Sequence, residues 1–180
     1  MPNVVLAQVQ EELGCVEENH TAATVQKLES LPSEFRDQLS SEALSTRLAG
    51  LIADSLIACA NYHEWSDEQL LYAALFELSR VSQRAIRMTG VFSPEELEVI
   101  DQALTDPVYV PLWKQMGTYS AQSILDGSPP EADVIEEMIA EFTMDLDIEH
   151  SDEKLFLIGA FVAAVSMRQV AEQEFASNTN

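Results

Sequence analysis

The sequence predicts an all-α protein, a single-domain bundle of seven or eight helices spanning residues 1–180, from three observations. Apolar residues recur at helical spacing along most of the chain, and no stretch alternates apolar and polar residues as a strand would. The 6 Gly and 7 Pro are few, and most fall between the periodic stretches. Hydrophobic residues make up 47% of the chain, which is too many for a disordered acidic tail.

The predicted helices follow one another between these breakers and the Ser-rich starts. They cover Val4–Glu18, Ala22–Leu31 (ending before Pro32), Ser33–Tyr62 with a break near Ser40 and Ser41 left open, Ser66–Thr89, Pro94–Leu104, Leu112–Leu125, Glu131–Leu146 and Asp152–Phe175. Residues 127–130, Gly-Ser-Pro-Pro, are the one clear hinge-like loop. The apolar run Leu155–Val165 is predicted to be the buried central element, because a helix that is apolar on every side has no solvent face.

Serine residues mark three of the helix starts. Ser66, Ser93 and Ser151 each precede acidic residues and then an apolar pattern. A serine oxygen accepts a hydrogen bond from a free amide of the first turn, and the acids favour the positive end of the helix dipole. Segments 64–76 and 149–161 also share Glu, Ser, Asp, Glu, Leu and Phe in register. An internal duplication into two related helix-pair halves and convergent capping both explain this likeness.

Net charge excludes several classes of function. The chain has 31 Asp+Glu against 9 Lys+Arg, a net charge of −22. Direct binding of nucleic acid needs clustered Lys and Arg, and anionic membranes attract basic segments, so neither partner is expected. The longest apolar run is also shorter than the ~20 residues that span a bilayer. The chain start has no basic flank, and Cys15 and Cys59 are expected to be two thiols of a cytoplasmic protein, although one disulfide is formally open.

Catalytic and metal-binding patterns are weak. The sequence has no Gly-rich phosphate loop, no GxSxG motif and no Cys placed with a His in a family pattern, so we predict no enzyme, no catalytic residue and no cofactor. Glu17-x-x-His20 and Asp147-x-x-His150 have the spacing of carboxylate–histidine metal motifs or nearly so. Both lie at predicted helix ends among polar residues, so we interpret them as surface histidines and predict no metal site.

Three arginines form a stripe on one predicted helix. Arg80, Arg84 and Arg87 hold a third of the chain's Lys and Arg residues, and their spacing puts them on one face. As a site, the stripe would bind an anionic ligand or an acidic segment of a partner. The favoured interpretation is internal pairing with Glu77 and with the acids of 95–101, which reduces the self-repulsion of an acidic chain.

A row of four acids is the strongest local bias. Asp133, Glu137, Glu141 and Asp145 are spaced four apart in a region, 131–153, that has no Lys or Arg. On a helix this spacing places a carboxylate about every 6 Å, and like charges at that distance repel. A row of anions imitates a phosphate strand and would suit a basic groove, whereas the simpler interpretation is a solvated helix face.

Two functions remain. The first is a non-enzymatic acidic binding or regulatory protein whose negative surface, through the row Asp133, Glu137, Glu141 and Asp145, engages a basic protein as an inhibitor, nucleic-acid mimic or adaptor. The alternative is a helical domain that binds a small molecule or a divalent metal ion at its acidic helix starts or at the arginine stripe. Homo-oligomerisation stays open.

Overall fold

The computed structural model is helical through most of the chain it describes. It describes residues 2–38, 42–125 and 151–178, together with Glu137, Ile139, Ala140, Phe142, Thr143, Leu146 and Ile148. These residues contain no strand, which confirms the predicted all-α class. The helices are α1 Pro2–Glu18, α2 Ala22–Gln38, α3 Glu42–His63, α4 Asp67–Met88, α5 Pro94–Thr105, α6 Val110–Leu125 and α7 Asp152–Ser177.

The predicted stop before Pro32 is wrong, because α2 continues through this proline to Gln38. A proline inside a helix costs about 3 kcal/mol, since it removes a backbone hydrogen bond and crowds the preceding turn. Leu31 is fully buried in the main core and Leu28 packs against it, so tertiary burial offsets that cost. The predicted helix Ser33–Tyr62, in which the sequence leaves a break near Ser40 and Ser41 open, corresponds to the end of α2 and to α3. Ser40 and Ser41 themselves lie outside the described residues.

The predicted serine caps are confirmed. Ser66 and Ser93 each form a reciprocal capping box, with Gln69 and Glu96 respectively. Ser151 accepts a hydrogen bond from the backbone N–H of Lys154 at 3.2 Å. Because each cap satisfies an otherwise free amide of the first turn, the starts of α4, α5 and α7 are fixed locally by sequence.

Helix α7 is the centre of the bundle, as predicted for Leu155–Val165. It packs most extensively against α4 and α6, and Leu157, Phe161 and Val162 are fully buried. Burial is incomplete near the start of α7, where Phe156 is 47% exposed.

Helix α7 is also long and apolar enough to cross a membrane by length and composition, with a mean hydropathy of 1.5 over its most apolar 18 residues. Of those residues, 56% are buried inside the bundle. The core helix of a soluble protein passes the same test, so this finding is weak evidence for a membrane span.

The two cysteines form a disulfide, so the expectation of two thiols is wrong. Cys15 on α1 and Cys59 on α3 are bonded, and their Cα atoms are 6.0 Å apart. The two helices are brought together because Val9, Leu13 and Val16 of α1 pack in one core cluster with residues of α3 such as Ile52 and Leu56. The two cysteines are 44 residues apart in sequence, and their spacing alone does not predict that α1 and α3 lie side by side.

Some predicted elements lie partly or wholly outside the described residues. The hinge loop 127–130 is outside them. Within the predicted helix Glu131–Leu146, the described positions from Glu137 to Thr143 are helical. The duplication stays a prediction; its two segments begin α4 and α7, which pack against each other.

Helices α6 and α7 approach each other closely at Gly117. A Cβ atom built on Gly117 would lie 2.3 Å from the backbone oxygen of Ser166. Backbone atoms cannot move aside as the end of a flexible side chain can, so only glycine allows this crossing. Gly50 on α3 is also helical, but a Cβ there would have no neighbour within 4 Å.

We predict opposite effects of adding a methyl group at these two glycines. Gly117→Ala should lower the free energy of unfolding by about 2 kcal/mol or more, because it forces α6 away from α7. Gly50→Ala should raise it by about 0.5–1 kcal/mol, because alanine restricts the unfolded chain without a clash. Urea unfolding followed by circular dichroism measures both, and equal effects would show that the α6–α7 crossing is not close.

Candidate functional site

The arginine stripe lies on α4, and its two outer members have internal acidic partners. Arg80 donates to both carboxylate oxygens of Glu77 at 2.7 Å and forms an ion pair with Glu17 of α1 at 2.6 Å. Arg87 pairs with Asp101 of α5, and its guanidinium lies 4.8 Å from the centre of the Phe161 ring. These are the internal pairs that the sequence favoured.

Burial and the neighbouring carboxylates have opposite effects on the pKa of Arg80. Burial disfavours the charged guanidinium, but the hydrogen bonds and negative charges of Glu77 and Glu17 outweigh it and raise the pKa of Arg80 above its ordinary value. The two oxygens of Glu77 accept a bidentate pair of bonds, the geometry in which arginine binds carboxylates most strongly. Arg80 is therefore a fixed cation of the fold.

Glu77 also binds a histidine, and three chain segments meet on it. The side chains of Glu77 and His20 are only 1% and 3% exposed. The Nε2 atom of His20 lies 2.8 Å from Glu77, and its Nδ1 atom lies 2.9 Å from the hydroxyl of Ser55 on α3. The Ser55 hydroxyl donates in turn to the backbone oxygen of Asn19 at 3.2 Å. We call Glu17, His20, Ser55, Glu77 and Arg80 the Glu77 network.

The Glu77 network contains serine, histidine and carboxylate in the order of a hydrolase triad, but it does not have the geometry of one. Ser55 is only 4% exposed, and its hydroxyl hydrogen is used on Asn19. A nucleophile must reach a substrate and lose its proton to the histidine.

The Glu77 network joins α3, α4 and the α1–α2 link. Sequence analysis did not predict it, because His20 and Glu77 are 57 residues apart.

Arg84, the middle member of the stripe, lies at the edge of a cavity of about 140 Å³ between α2 and α4. Its side chain is 61% exposed, and it forms a long ion pair with Glu17, at 4.0 Å. Val25, Leu28 and Met88 give the cavity an apolar part, and His20 and Arg80 line its polar part. The cavity has less than half the volume of an ordinary small-molecule pocket.

A fourth arginine, Arg168, extends this basic region, and sequence analysis did not identify it. Burial lowers the pKa of Arg168 on α7, the charge of Glu172 opposes that change, and the nearby charges of Arg80 and Arg87 lower the pKa further. Among the side chains that the structure describes, none of the ion pairs includes Arg168. The proximity of Arg168 to Arg80 and Arg87 depends on the register of α7 against α4, and helical periodicity in the sequence does not specify that register.

The predicted acidic row lies mostly outside the described residues. Asp133, Glu141 and Asp145 are outside them, and Glu137 is helical and exposed. The row as a binding face therefore stays a prediction.

The predicted absence of a metal site also stays a prediction. Among the described residues, no group of three or more His, Cys, Asp or Glu side chains has the arrangement to hold a metal ion. The interpretation of His20 as a surface histidine is wrong, because its side chain is only 3% exposed and contacts Glu77. Glu17 of the same Glu17-x-x-His20 motif pairs with Arg80, so both residues belong to the Glu77 network. Asp147 and His150 lie outside the described residues.

Comparison with known proteins gave no relative. A scan against protein-family models found no match, and searches of curated proteins and of solved structures found none either.

We predict that Glu77→Gln lowers the free energy of unfolding by about 3 kcal/mol, because it leaves Arg80 and His20 buried without their shared anion. Glu98→Gln, on an exposed side chain, removes the same charge and should change stability by less than about 0.5 kcal/mol. Urea unfolding measures both. Equal effects of the two substitutions would show that the Glu77 network does not hold the helices together.

Proposed function

We propose that the chain is a non-enzymatic acidic helical binding protein whose negative surface engages a basic protein partner, as an inhibitor, a nucleic-acid mimic or an adaptor. The observation that carries the proposal is the placement of cations. Arg80, Arg87 and Lys154 each pair with acids of the same chain, and the Lys154–Glu96 contact is 2.6 Å long. Such pairs are locally neutral, so they do not offset the negative charge of the remaining surface.

The remaining surface of the described residues is rich in acids. Its exposed carboxylates include Glu11, Glu18, Glu64, Asp67, Glu68, Glu95, Asp106, Glu153 and Glu174. With a net charge of −22, the field of such a surface attracts a basic protein over long range and raises the association rate. This supports a binding role more directly than it supports any reaction.

The alternative, a small-molecule or metal-binding domain, has one observation in its favour. Arg84 is largely exposed beside the 140 Å³ cavity and its ion pair with Glu17 is 4.0 Å long, whereas Arg80 and Arg87 are held by closer carboxylates. The acids around this cavity, Glu17 and Glu29, reduce its attraction for a simple anion. We therefore place this function second.

Cytoplasmic location stays a prediction. The Cys15–Cys59 disulfide bears against it, because disulfides are rare in reducing compartments. A free-thiol assay on protein isolated from its native cells tests the location: two free thiols support a reducing compartment, and none supports an oxidising one.

A salt-graded pulldown tests the proposed function. Immobilised chain should retain a Lys- and Arg-rich protein from native extract at low ionic strength and release it at high ionic strength. The purified partner should rebind, and its association rate should fall about tenfold or more as ionic strength rises from about 0.01 M to about 0.15 M, since the Debye length falls from about 30 Å to about 8 Å.

Two outcomes contradict the proposal. One is a specific partner that is not basic, or whose association rate does not depend on salt. The other is stoichiometric metal or a stoichiometric small molecule in the purified protein, found by elemental analysis and native mass spectrometry, which supports the alternative instead.

A further inference from the structure

A stack of aromatic rings stands at the corner between α3 and α4. Tyr62 is 81% exposed, and its ring meets the His63 ring edge-on at 4.8 Å. The His63 ring stacks on Trp65 at 5.7 Å, and Trp65 packs against the fully buried Phe175 of α7 at 5.2 Å. The His63 and Trp65 rings therefore connect the exposed Tyr62 to the core.

The backbone of this corner is held in one conformation. Glu64 has a φ of +57°, in the left-handed region that residues other than glycine seldom adopt. The backbone N–H of Trp65 donates to Ala60 at 3.0 Å, and the Ser66 capping box begins α4 immediately afterwards. The indole N–H of Trp65 donates to Glu12 of α1 at 3.1 Å. Parts of α1, α3, α4 and α7 thus meet at this corner.

These parts come from segments without any cation. Residues 1–26, 48–79 and 169–180 contain no Lys and no Arg. Burial, and then the charges of Glu174 and Glu68, raise the pKa of Tyr72, so carboxylates of α7 and α4 act on one ring near the corner. We call this surface the acidic pole; it comprises Glu12, Tyr62, His63, Glu64, Trp65, Asp67, Glu68 and Glu174.

We propose that the acidic pole is the docking site for a basic segment of the partner protein, with an arginine or lysine over the Tyr62 and His63 rings and its neighbours paired with the surrounding carboxylates. This inference rests on the proposed function and names a site for it other than the row at Asp133–Asp145. Cations bind aromatic faces, and tyrosines in a polar surround are typical binding hot spots.

Charge complementarity selects this occupant over others. A second copy of the chain would bring two acidic poles together, and nucleic acid would add phosphates to carboxylates, so like charges oppose both. The dipole of α4 accounts for Asp67 and Glu68 at its first turn. It does not account for the exposure of Tyr62 or for the acids contributed by α1 and α7.

The start of α7 offers a matched control surface. Asp152 and Glu153 lie in its first turn and Phe156 is 47% exposed, so it too combines acids with an exposed aromatic ring. It differs in having Lys154, which forms an ion pair with Glu96. The likeness between 64–76 and 149–161 makes the two surfaces comparable in sequence as well.

The test measures the affinity of a fluorescent oligoarginine peptide for the parent chain and four variants at about 0.15 M ionic strength. Tyr62→Ala should weaken binding about two- to fivefold without a change of charge, and Phe156→Ala should leave it unchanged. Glu64→Gln with Glu68→Gln should weaken binding more than Asp152→Asn with Glu153→Gln, which removes the same charge. Melting curves check that all variants fold.

Equal effects of the two acidic pairs, or parent-like binding by Tyr62→Ala, overturn the acidic pole as the site. In that case salt-dependent binding by the parent chain still supports the proposed function. If the parent chain does not bind the peptide in a salt-dependent way, the proposed function fails together with the site.

Discussion

The carboxylate of Glu77 is buried in the bundle, and much of the structure depends on how its charge is satisfied. A buried anion costs several kcal/mol unless its partners are close and well oriented. Arg80 supplies a bidentate cation and His20 a ring nitrogen, and Ser55 and Asn19 continue the hydrogen bonds to α3 and to the α1–α2 link. Because His20 lies on the α1–α2 link and Ser55 on α3, the Glu77 network fixes how these segments lie against α4.

The same pairing shapes the surface charge. Arg80 is one of nine Lys and Arg residues in a chain with 31 acids. Its positive charge is paired with the carboxylates of Glu77 and Glu17. Arg87 and Lys154 are used in the same way. Cations held internally are not available to screen the outer acids, so the end of the bundle built from cation-free segments keeps its negative charge.

The features that the sequence predicted correctly are those that depend on residues close together in the chain. The caps at Ser66, Ser93 and Ser151, the central position of α7 and the pairing of Arg80 with Glu77 depend on residues a few positions apart or on one helix face. The pairing of Arg87 with Asp101 joins α4 to the next helix, only 14 residues further along the chain. Pairings between distant segments were missed, because they depend on the register of one helix against another. The disulfide, the contact of His20 with Glu77, the position of Arg168 and the contact of Trp65 with Phe175 are of this kind. The helix through Pro32 is a further case, in which packing overrides local preference.

The two tryptophans allow the most direct test of the central claim, that a basic partner binds the acidic pole. Trp65 belongs to the pole, whereas Trp113 is buried against Phe142, whose sequence neighbour is Glu141 of the predicted acidic row. In a nuclear magnetic resonance titration of ¹⁵N-labelled chain with the oligoarginine peptide, the indole N–H signal of Trp65 should shift to saturation while that of Trp113 stays fixed. A shift of the Trp113 signal with an unchanged Trp65 signal would contradict the account and place binding near the row at Asp133–Asp145.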